Sequence, residues 1–186
     1  MPELVRCKPC GYVSRKDALR SVCPACGAPL SAFEPYEDRI SATRRSVLNL
    51  DLHPILVHAP QTFATLLPVL AAVTISFPAL YSDELSAVAC FTAIVLPLSV
   101  VGAILSGLID GKMKFKRLTT PLLIRKIILG ASLLIISGVN ATIIILGGFQ
   151  GGTKSVVLLL GIASFICAVL LGLTGKRLII PILPGR

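Results

Sequence analysis

Four cysteines near the start of the chain form two matching pairs whose spacing is suited to one metal ion. The first pair reads Cys7-Lys-Pro-Cys10-Gly and the second reads Cys23-Pro-Ala-Cys26-Gly, with twelve residues between them. A two-residue gap lets one tight turn aim both sulfurs at the same ion, and four thiolates form a tetrahedral site that selects zinc or iron. The glycine after each pair permits a positive φ angle and lets turn N–H groups point toward sulfur. The sequence therefore predicts a mononuclear metal site at these four cysteines.

A pair of disulfides or a redox-active dithiol is the alternative for the same four residues. The distribution of basic residues, described below, places this end of the chain in the cytoplasm, and a reducing compartment disfavours disulfides. A segment of about 35 residues also buries too little apolar surface to fold unaided, so metal binding would supply much of its folding free energy. Both points favour the metal site.

The motifs Cys7-x-x-Cys10-Gly-Tyr and Cys23-Pro-x-Cys26, with the gap between them, resemble the small rubredoxin-type domain of rubrerythrins. The resemblance covers roughly residues 5–36, and it implies one iron that is held by the four cysteines and carries one electron. Zinc ribbons have the same cage geometry, so zinc is the alternative metal. Three aromatic residues near the motifs would shield either metal: Tyr12, Phe33 and Tyr36.

The rest of the chain is apolar enough to lie in a membrane. The 186 residues are 54% hydrophobic and 15% charged, with a mean hydropathy of +0.86. Four runs without Asp, Glu, Lys or Arg cover residues 52–82, 85–109, 127–153 and 155–175. Each run reaches the roughly 20 residues that cross a bilayer as a helix. A soluble helical core is the alternative, but its helices would show a polar face, which these runs lack.

These features predict an all-α integral membrane bundle of four transmembrane helices with a small N-terminal rubredoxin-like or zinc-ribbon metal head. The predicted segments are the head (1–36), a cationic connector (37–51), the four-helix domain (52–176) and a tail (177–186). Only 27 residues separate Cys26 from His53, so we expect the head to stay within some tens of ångströms of the bilayer.

Lysine and arginine residues are strongly segregated between the two predicted sides of the membrane. Seventeen of the eighteen lie before the first run, between the second and third runs, or after the fourth, and Lys154 alone lies on the other side. Because positive residues stay in the cytoplasm, both termini are predicted there, in a multi-pass protein of the cell (inner) membrane. The net charge of +9 then reflects topology and attraction to anionic lipid rather than a nucleic-acid partner.

The only two histidines, His53 and His58, lie at the start of the first span. Ionisable residues at membrane depth are functional candidates, although packing alone could explain an interfacial His53 and a hydrogen-bonded His58. Five residues separate them, which is about 140° around a regular helix, so one ion or one haem face does not readily take both. Ligation of haem by two histidines would need a partner histidine from a second helix, which this chain lacks, so haem requires a homodimer or a non-histidine axial ligand. A quinone- or proton-linked role is the other option. Of the two residues, His58 is the preferred candidate.

Other signals concern the shape of the helices. Asn49 or Asp51 can cap the first span, and interior Pro60 and Pro68 predict a kink in it. The third span is predicted to begin at Pro121. Stripes of small residues predict close packing of the second and fourth spans, at Ser99-xxx-Ala103-xxx-Gly107 and Ser164-xxx-Ala168-xxx-Gly172.

The stretch His53-Pro-Ile-Leu-Val-His58-Ala-Pro60 is similar to the opening signature of an uncharacterised family of small four-helix membrane proteins. That signature reads His-Pro-x-x-Val-His-Phe-Pro, and Ala59 stands here in place of the aromatic residue. The resemblance spans roughly residues 52–173. It implies a membrane bundle, sometimes fused to a rubredoxin-like head, with no settled activity.

Taken together, the sequence predicts a membrane-anchored one-electron carrier that exchanges electrons with a partner protein, with a quinone, or with a site near His53 and His58. A zinc-ribbon head that binds a partner protein and is tethered by the helices is the alternative. A transporter is disfavoured because the spans are expected to contain no charged residue. No Ser/His/Asp or paired-carboxylate set points to hydrolysis, so an electron-transfer protein is favoured over a stand-alone enzyme.

Overall fold

The computed structural model describes residues 3–37, 46, 50–80, 82–115 and 121–179. The chain divides into two compact units, of which one holds the N-terminal head and the other comprises residues 46–175. The head contains short strands, and the second unit is helical, which confirms the predicted fold class. Most of the predicted connector, with the proposed cap Asn49, and the end of the predicted tail lie outside the described residues.

The head is built on a three-stranded antiparallel sheet with the strand order β2-β1-β3. Along the central strand, Val5 and Cys7 are buried and Arg6 between them is exposed, as expected when successive side chains point to opposite faces. A sheet this small is not stable by itself in water, so the head depends on further stabilisation. The strands are β1 (Leu4–Cys7), β2 (Val13–Arg15) and β3 (Phe33–Pro35).

Four helical stretches are long and apolar enough to cross a membrane, as predicted. Their helices are α1 (Leu52–Leu56), α2 (His58–Ser76), α3 (Ser82–Phe115), α4 (Pro121–Gly147) and α5 (Gly152–Ile179). The first stretch combines α1 and α2, and each later stretch lies within a single helix. The third begins at Pro121, where the sequence placed its start.

The first span is divided at Val57 into two helices. Pro60 has no N–H to donate to the carbonyl of Leu56, and Leu56 is the last residue of α1. Pro60 therefore lies in the first turn of α2, and the prediction that it is interior is wrong, whereas Pro68 does lie inside α2. The proposed cap Asp51 is also wrong, because it has a left-handed backbone (φ 46°) and makes no side-chain capping bond.

The interior of the bundle is mainly an apolar core, which also contains the buried polar residues Ser137 and Asn140. Buried residues recur every three or four positions, as in Ala64, Leu67 and Ala71 of α2, and α2 packs against α3, which packs against α4. Gly161 lets α5 approach α2 closely, because a Cβ atom at this position would lie 3.3 Å from three atoms of Pro68. The predicted packing residues Ser164 and Ala168 are buried as well.

Large apolar side chains also cover the outer surface of the bundle. Leu98, Ile135 and Leu159 are each about two-thirds exposed, with values of 67%, 66% and 68%. Helices that are apolar on both their inner and outer faces are suited to lipid rather than water. This agrees with the absence of a polar face in the four charge-free runs.

Charged residues do occur within the spanning helices, contrary to the sequence-based expectation. Helix α3 continues past the charge-free run, and Asp110 on it is 6% exposed. Helix α4 begins at Pro121, six residues before its charge-free run, and therefore includes Arg125 and Lys126. A charge-free run ends at the first charged residue, whereas a helix can include charged residues and continue past that point.

Candidate metal centre

Both Cys-x-x-Cys motifs fold into the same turn. The N–H of Cys7 donates to the carbonyl of Tyr12 and the N–H of Gly11 donates to the carbonyl of Cys7, each at 2.8 Å. The same two bonds recur around Cys23, at 2.7 and 2.8 Å. Gly11 and Gly27 have φ angles of 75° and 76°, which confirms that each turn needs a residue tolerant of the left-handed region.

The two turns bring the four sulfurs together as the sequence predicted. The Sγ atoms of Cys7 and Cys26 are 3.7 Å apart, those of Cys10 and Cys23 are 3.6 Å apart, and all four lie within 4.8 Å of one another. A tetrahedron with metal–sulfur bonds of about 2.3 Å has sulfur–sulfur edges of about 3.8 Å. The cysteines are not joined by disulfides, which would need about 2.05 Å between sulfurs. The residues present therefore fit a single metal ion.

Backbone N–H groups are directed at the sulfurs, although they are not those of the glycines. The N–H of Cys10 reaches the sulfur of Cys7, and the N–H groups of Ala25 and Cys26 reach the sulfur of Cys23. The glycine N–H groups turn back to carbonyls instead. Donors of this kind stabilise thiolates and tune the reduction potential of an iron–sulfur site.

The same environment gives the cysteine thiols different pKa values. Burial raises the pKa of the Cys7 thiol to about 12, although the hydrogen bond from the N–H of Cys10 lowers it. Burial also acts on Cys23, but the N–H groups of Ala25 and Cys26, together with neighbouring cysteine side chains, lower its pKa to about 7. For Cys26, the N–H of Ala28 lowers the pKa, and burial and neighbouring thiols outweigh it, so the pKa is raised. The lowered pKa of Cys23 favours its thiolate form, which is the form that binds metal.

The two cysteines of each pair differ in exposure. Cys7 and Cys23, the first of each pair, are 0% and 1% exposed, whereas Cys10 is half-buried and Cys26 is exposed. One edge of the cage is thus buried in the head and the opposite edge reaches its surface. Of the aromatic residues expected to shield the metal, Phe33 and Tyr36 are half-buried and Tyr12 is exposed.

The two histidines lie in different surroundings. His53 is half-buried, with Nδ1 at 3.3 Å from Oγ of Ser106 and Nε2 at 3.3 Å from Nζ of Lys126. His58 is exposed, and its carbonyl accepts a hydrogen bond from the hydroxyl of Thr62. The structure thus places His53, rather than the preferred His58, in contact with two other spans.

The hydrogen-bond network assigns the protonation of the His53 ring. The hydroxyl of Ser106 donates to the carbonyl of Ala103 at 3.0 Å, so its oxygen accepts from Nδ1–H of His53. Nε2 then carries a lone pair and accepts from the Lys126 ammonium, which has only donors. Both ring nitrogens are engaged, so a bond from His53 to a haem iron would have to displace one of these contacts.

Gly107 makes room for the His53 ring. A Cβ atom at this position would lie 2.9 Å from Cε1 of His53, closer than real Cβ contacts allow. The stripe of small residues ending at Gly107 predicted a close contact, but the partner is an imidazole ring rather than a helix backbone. Ser106 and Lys126 were missed as partners. The position of Lys126 one turn and a half after Pro121, within helix α4, is the sequence signal that could have indicated it.

Comparison with known proteins identifies the head. Residues 6–34 match the family model of the rubrerythrin, rubredoxin-like domain, which covers all four cysteines. The head is therefore a rubredoxin-like metal-binding domain, as the spacing of its cysteines predicted. No curated protein and no solved structure matches the chain. The similarity of the helices to the uncharacterised four-helix family stays a prediction.

Proposed function

We propose that this protein is a membrane-anchored one-electron carrier whose head holds one iron ion through Cys7, Cys10, Cys23 and Cys26. The observation that carries the proposal is the four-sulfur cage within a segment that matches a rubredoxin-like domain. Iron held by four thiolates can change its charge by one electron while it keeps the same ligands.

The residues of the head contribute three properties that suit this role. The two closed turns hold the four sulfurs in one arrangement, so little rearrangement accompanies a change in charge of the bound ion. Backbone N–H groups at the sulfurs of Cys7 and Cys23 stabilise negative charge on the cage. Cys26 lies at the surface, where a partner can approach the sulfur directly.

The helical unit supplies the membrane anchor in this proposal. Its four long apolar stretches would hold the carrier at a bilayer, where lipid-soluble and membrane-bound redox partners are concentrated. Partner proteins and quinones are both candidates for the other half of the exchange. The segregation of basic residues supports a head on the cytoplasmic side.

A tethered zinc ribbon is the second candidate, because the same four-sulfur geometry fits zinc. In that case the head would be a structural module that recognises a partner protein, and the exposed edge at Cys26 would have no redox role. The cage geometry does not separate the two metals, so metal analysis decides between the candidates.

The test is metal analysis and visible spectroscopy of the full-length protein purified from cells grown with ample iron. We expect one iron per chain, thiolate-to-iron absorption in the oxidised protein, and loss of the colour on addition of dithionite. Cys7→Ser should abolish iron binding and unfold the head, because an incomplete cage supplies much less folding free energy. Stoichiometric zinc and a colourless protein would refute the iron proposal and favour the tethered zinc ribbon.

The two remaining cysteines provide a matched control. Cys90 and Cys167 lie on α3 and α5 of the helical unit and pack against the bundle core. Cys90→Ser and Cys167→Ser should therefore keep the full iron content and the visible spectrum. Loss of iron in either variant would show that the cage at the head is not the iron site.

A further inference from the structure

Helix α2 carries a row of polar side chains on the outside of the bundle, which we call the α2 stripe. The four residues of the stripe are all exposed and recur at intervals of three or four positions: His58, Gln61, Thr62 and Thr65. Residues at these intervals share one face of a helix. The buried residues of α2, such as Leu67 and Ala71, lie on the opposite face, which packs into the bundle core. The stripe therefore points away from the core.

The stripe lies at a depth where lipid replaces water. The first spanning stretch runs from Leu52 to Ser76, and Gln61 is nine residues from its start and fifteen from its end. At 1.5 Å per residue these separations are about 13 and 22 Å, which places Gln61 within a hydrocarbon layer of about 30 Å. This stretch also has the lowest mean hydropathy of the four, 1.5 against 2.2, 2.5 and 2.9 for the others.

Gln61 is the member of the stripe that most requires a partner. Its side-chain amide can donate two hydrogen bonds and accept two, and it forms none with the residues that the structure describes. It lies beside Gly172 of α5, where an added Cβ atom would be 3.5 Å from Nε2, and glycine has no side chain to cover it. An amide without partners is costly in hydrocarbon, and lipid tails supply no hydrogen-bonding group. The stripe therefore indicates a partner that a single chain does not provide.

The hydrogen-bonding groups of the stripe complement a second copy of themselves. The hydroxyls of Thr62 and Thr65 donate to the carbonyls of His58 and Gln61, at 2.9 and 2.8 Å, so their lone pairs can accept from outside the helix. The Gln61 amide both donates and accepts. Two copies with the same orientation in the membrane hold identical residues at the same depth, so a two-fold interface pairs each residue with its own counterpart. We propose that the α2 stripe is the interface of a homodimer in which the two Gln61 amides bond to each other.

The same face continues as an apolar surface further along α2. Val69 follows Thr65 by one turn and is 53% exposed. The face thus combines hydrogen-bonding groups with a surface for van der Waals packing, the two contributions that associate helices in a membrane. The exposed Ile135 of α4 offers only apolar contacts, which lipid supplies equally well. The inference does not depend on the metal or the function of the head.

The experiment measures association of the full-length zinc-loaded protein in phosphatidylcholine vesicles. The readout is fluorescence energy transfer between donor-labelled and acceptor-labelled copies over a range of protein-to-lipid ratios, and zinc fills the cage without the visible absorption of iron. For the wild type we expect energy transfer that follows a monomer–dimer equilibrium. Gln61→Leu removes the amide at similar volume and should weaken the dimer about tenfold, since a symmetric amide pair forms two hydrogen bonds between the helices.

Two threonines provide a matched pair that tests the position of the interface. Thr65 in the stripe and Thr142 on α4 are both exposed, and each hydroxyl donates to the carbonyl four residues earlier, at 2.8 and 2.9 Å. Thr65→Trp places a bulky ring between the two copies and should weaken the dimer at least about tenfold. Thr142→Trp should change the dissociation constant by less than about twofold. Zinc content and elution from a sizing column check that each variant is folded.

Three results would overturn the proposal. A wild type that stays monomeric at every protein-to-lipid ratio would leave the stripe to lipid or to the helix of another protein. A dimer of unchanged affinity in Gln61→Leu would show that the amides do not meet. Equal losses in the Thr65 and Thr142 variants would show that the interface does not lie at the α2 stripe.

Discussion

At the scale of single residues, the four cysteines share one site but differ in exposure. Cys26 is exposed and Cys10 is half-buried, whereas the first cysteine of each pair is buried. We expect a slow thiol reagent, used below one equivalent on metal-loaded protein, to modify Cys26 first. Peptide mass spectrometry would identify the modified residue. Modification of Cys7 or Cys23 before Cys26 would show that the exposed edge of the cage is different from the one described.

Gly107 provides a second test at this scale, because the three atoms nearest to an added Cβ all belong to the His53 ring. Gly107→Ala would place a Cβ atom 2.9 Å from Cε1 of His53 and force the ring to move. We expect a loss of about 1–3 kcal/mol in the free energy of unfolding, the usual range for overpacking. Unfolding of the purified protein in detergent by denaturant would measure it.

The control for Gly107 lies on the same helix. A Cβ atom at Gly102 meets nothing within 4 Å, so Gly102→Ala should be neutral or stabilise the helix by up to about 1 kcal/mol. The difference between the two variants isolates the contact with His53 from the change in helix propensity. Equal stability of the two variants would contradict the placement of the ring against Gly107.

At the scale of elements, the two histidines lie on either side of the division at Val57. His53 on the five-residue helix α1 contacts α3 and α4, whereas His58 at the start of α2 is exposed. The sequence predicted a kink in this span, and the structure divides it into two helices, with Val57 between them in the right-handed helical region. These surroundings favour His53 over the preferred His58.

This reversal predicts different effects for the two histidine substitutions. If quinone exchanges electrons with the head, His53→Ala should slow reoxidation of the reduced head by membrane quinone roughly three- to tenfold, the range for one hydrogen bond. His58→Ala should leave the rate unchanged, because that side chain is exposed. Stopped-flow absorbance in membranes that contain quinone would measure both rates, with iron content as the check on folding. A slow His58 variant beside a normal His53 variant would restore the sequence-based preference.

At the scale of the whole molecule, the orientation in the membrane is open to a direct test. The distribution of Lys and Arg predicts that residues 82 and 153 lie outside the cell and residue 114 inside. In a background without Cys90 and Cys167, an impermeant thiol reagent added to intact cells should label Ser82→Cys and Thr153→Cys. It should label Lys114→Cys only after the cells are permeabilised. Labelling at position 114 in intact cells would place the head outside.

Sequence alone predicts those parts of the molecule that are determined by residues close together in the chain. Each cysteine pair lies within one turn, so its spacing fixes the direction of both sulfurs, and each apolar run is long enough to define a span by itself. The contacts of His53 with Ser106 and Lys126 have no such signal, because these residues lie 53 and 73 positions after His53 in the chain. Helices that are apolar on every face give no periodicity from which their rotation, and hence such a contact, can be predicted.

The length of α3 sets the depth at which the bundle lies. Its 34 residues extend about 51 Å, against about 30 Å of hydrocarbon in a bilayer. Glu84, in the acidic first turn, does not enter hydrocarbon cheaply, and Ser106 lies about 33 Å further along the helix, at the opposite boundary. The 26 residues from Glu84 to Asp110 rise about 39 Å, which exceeds the thickness of the hydrocarbon layer, so the helix must tilt or thicken the bilayer around it. The protein should therefore tilt less, and partition more readily, in thicker membranes than in thin ones.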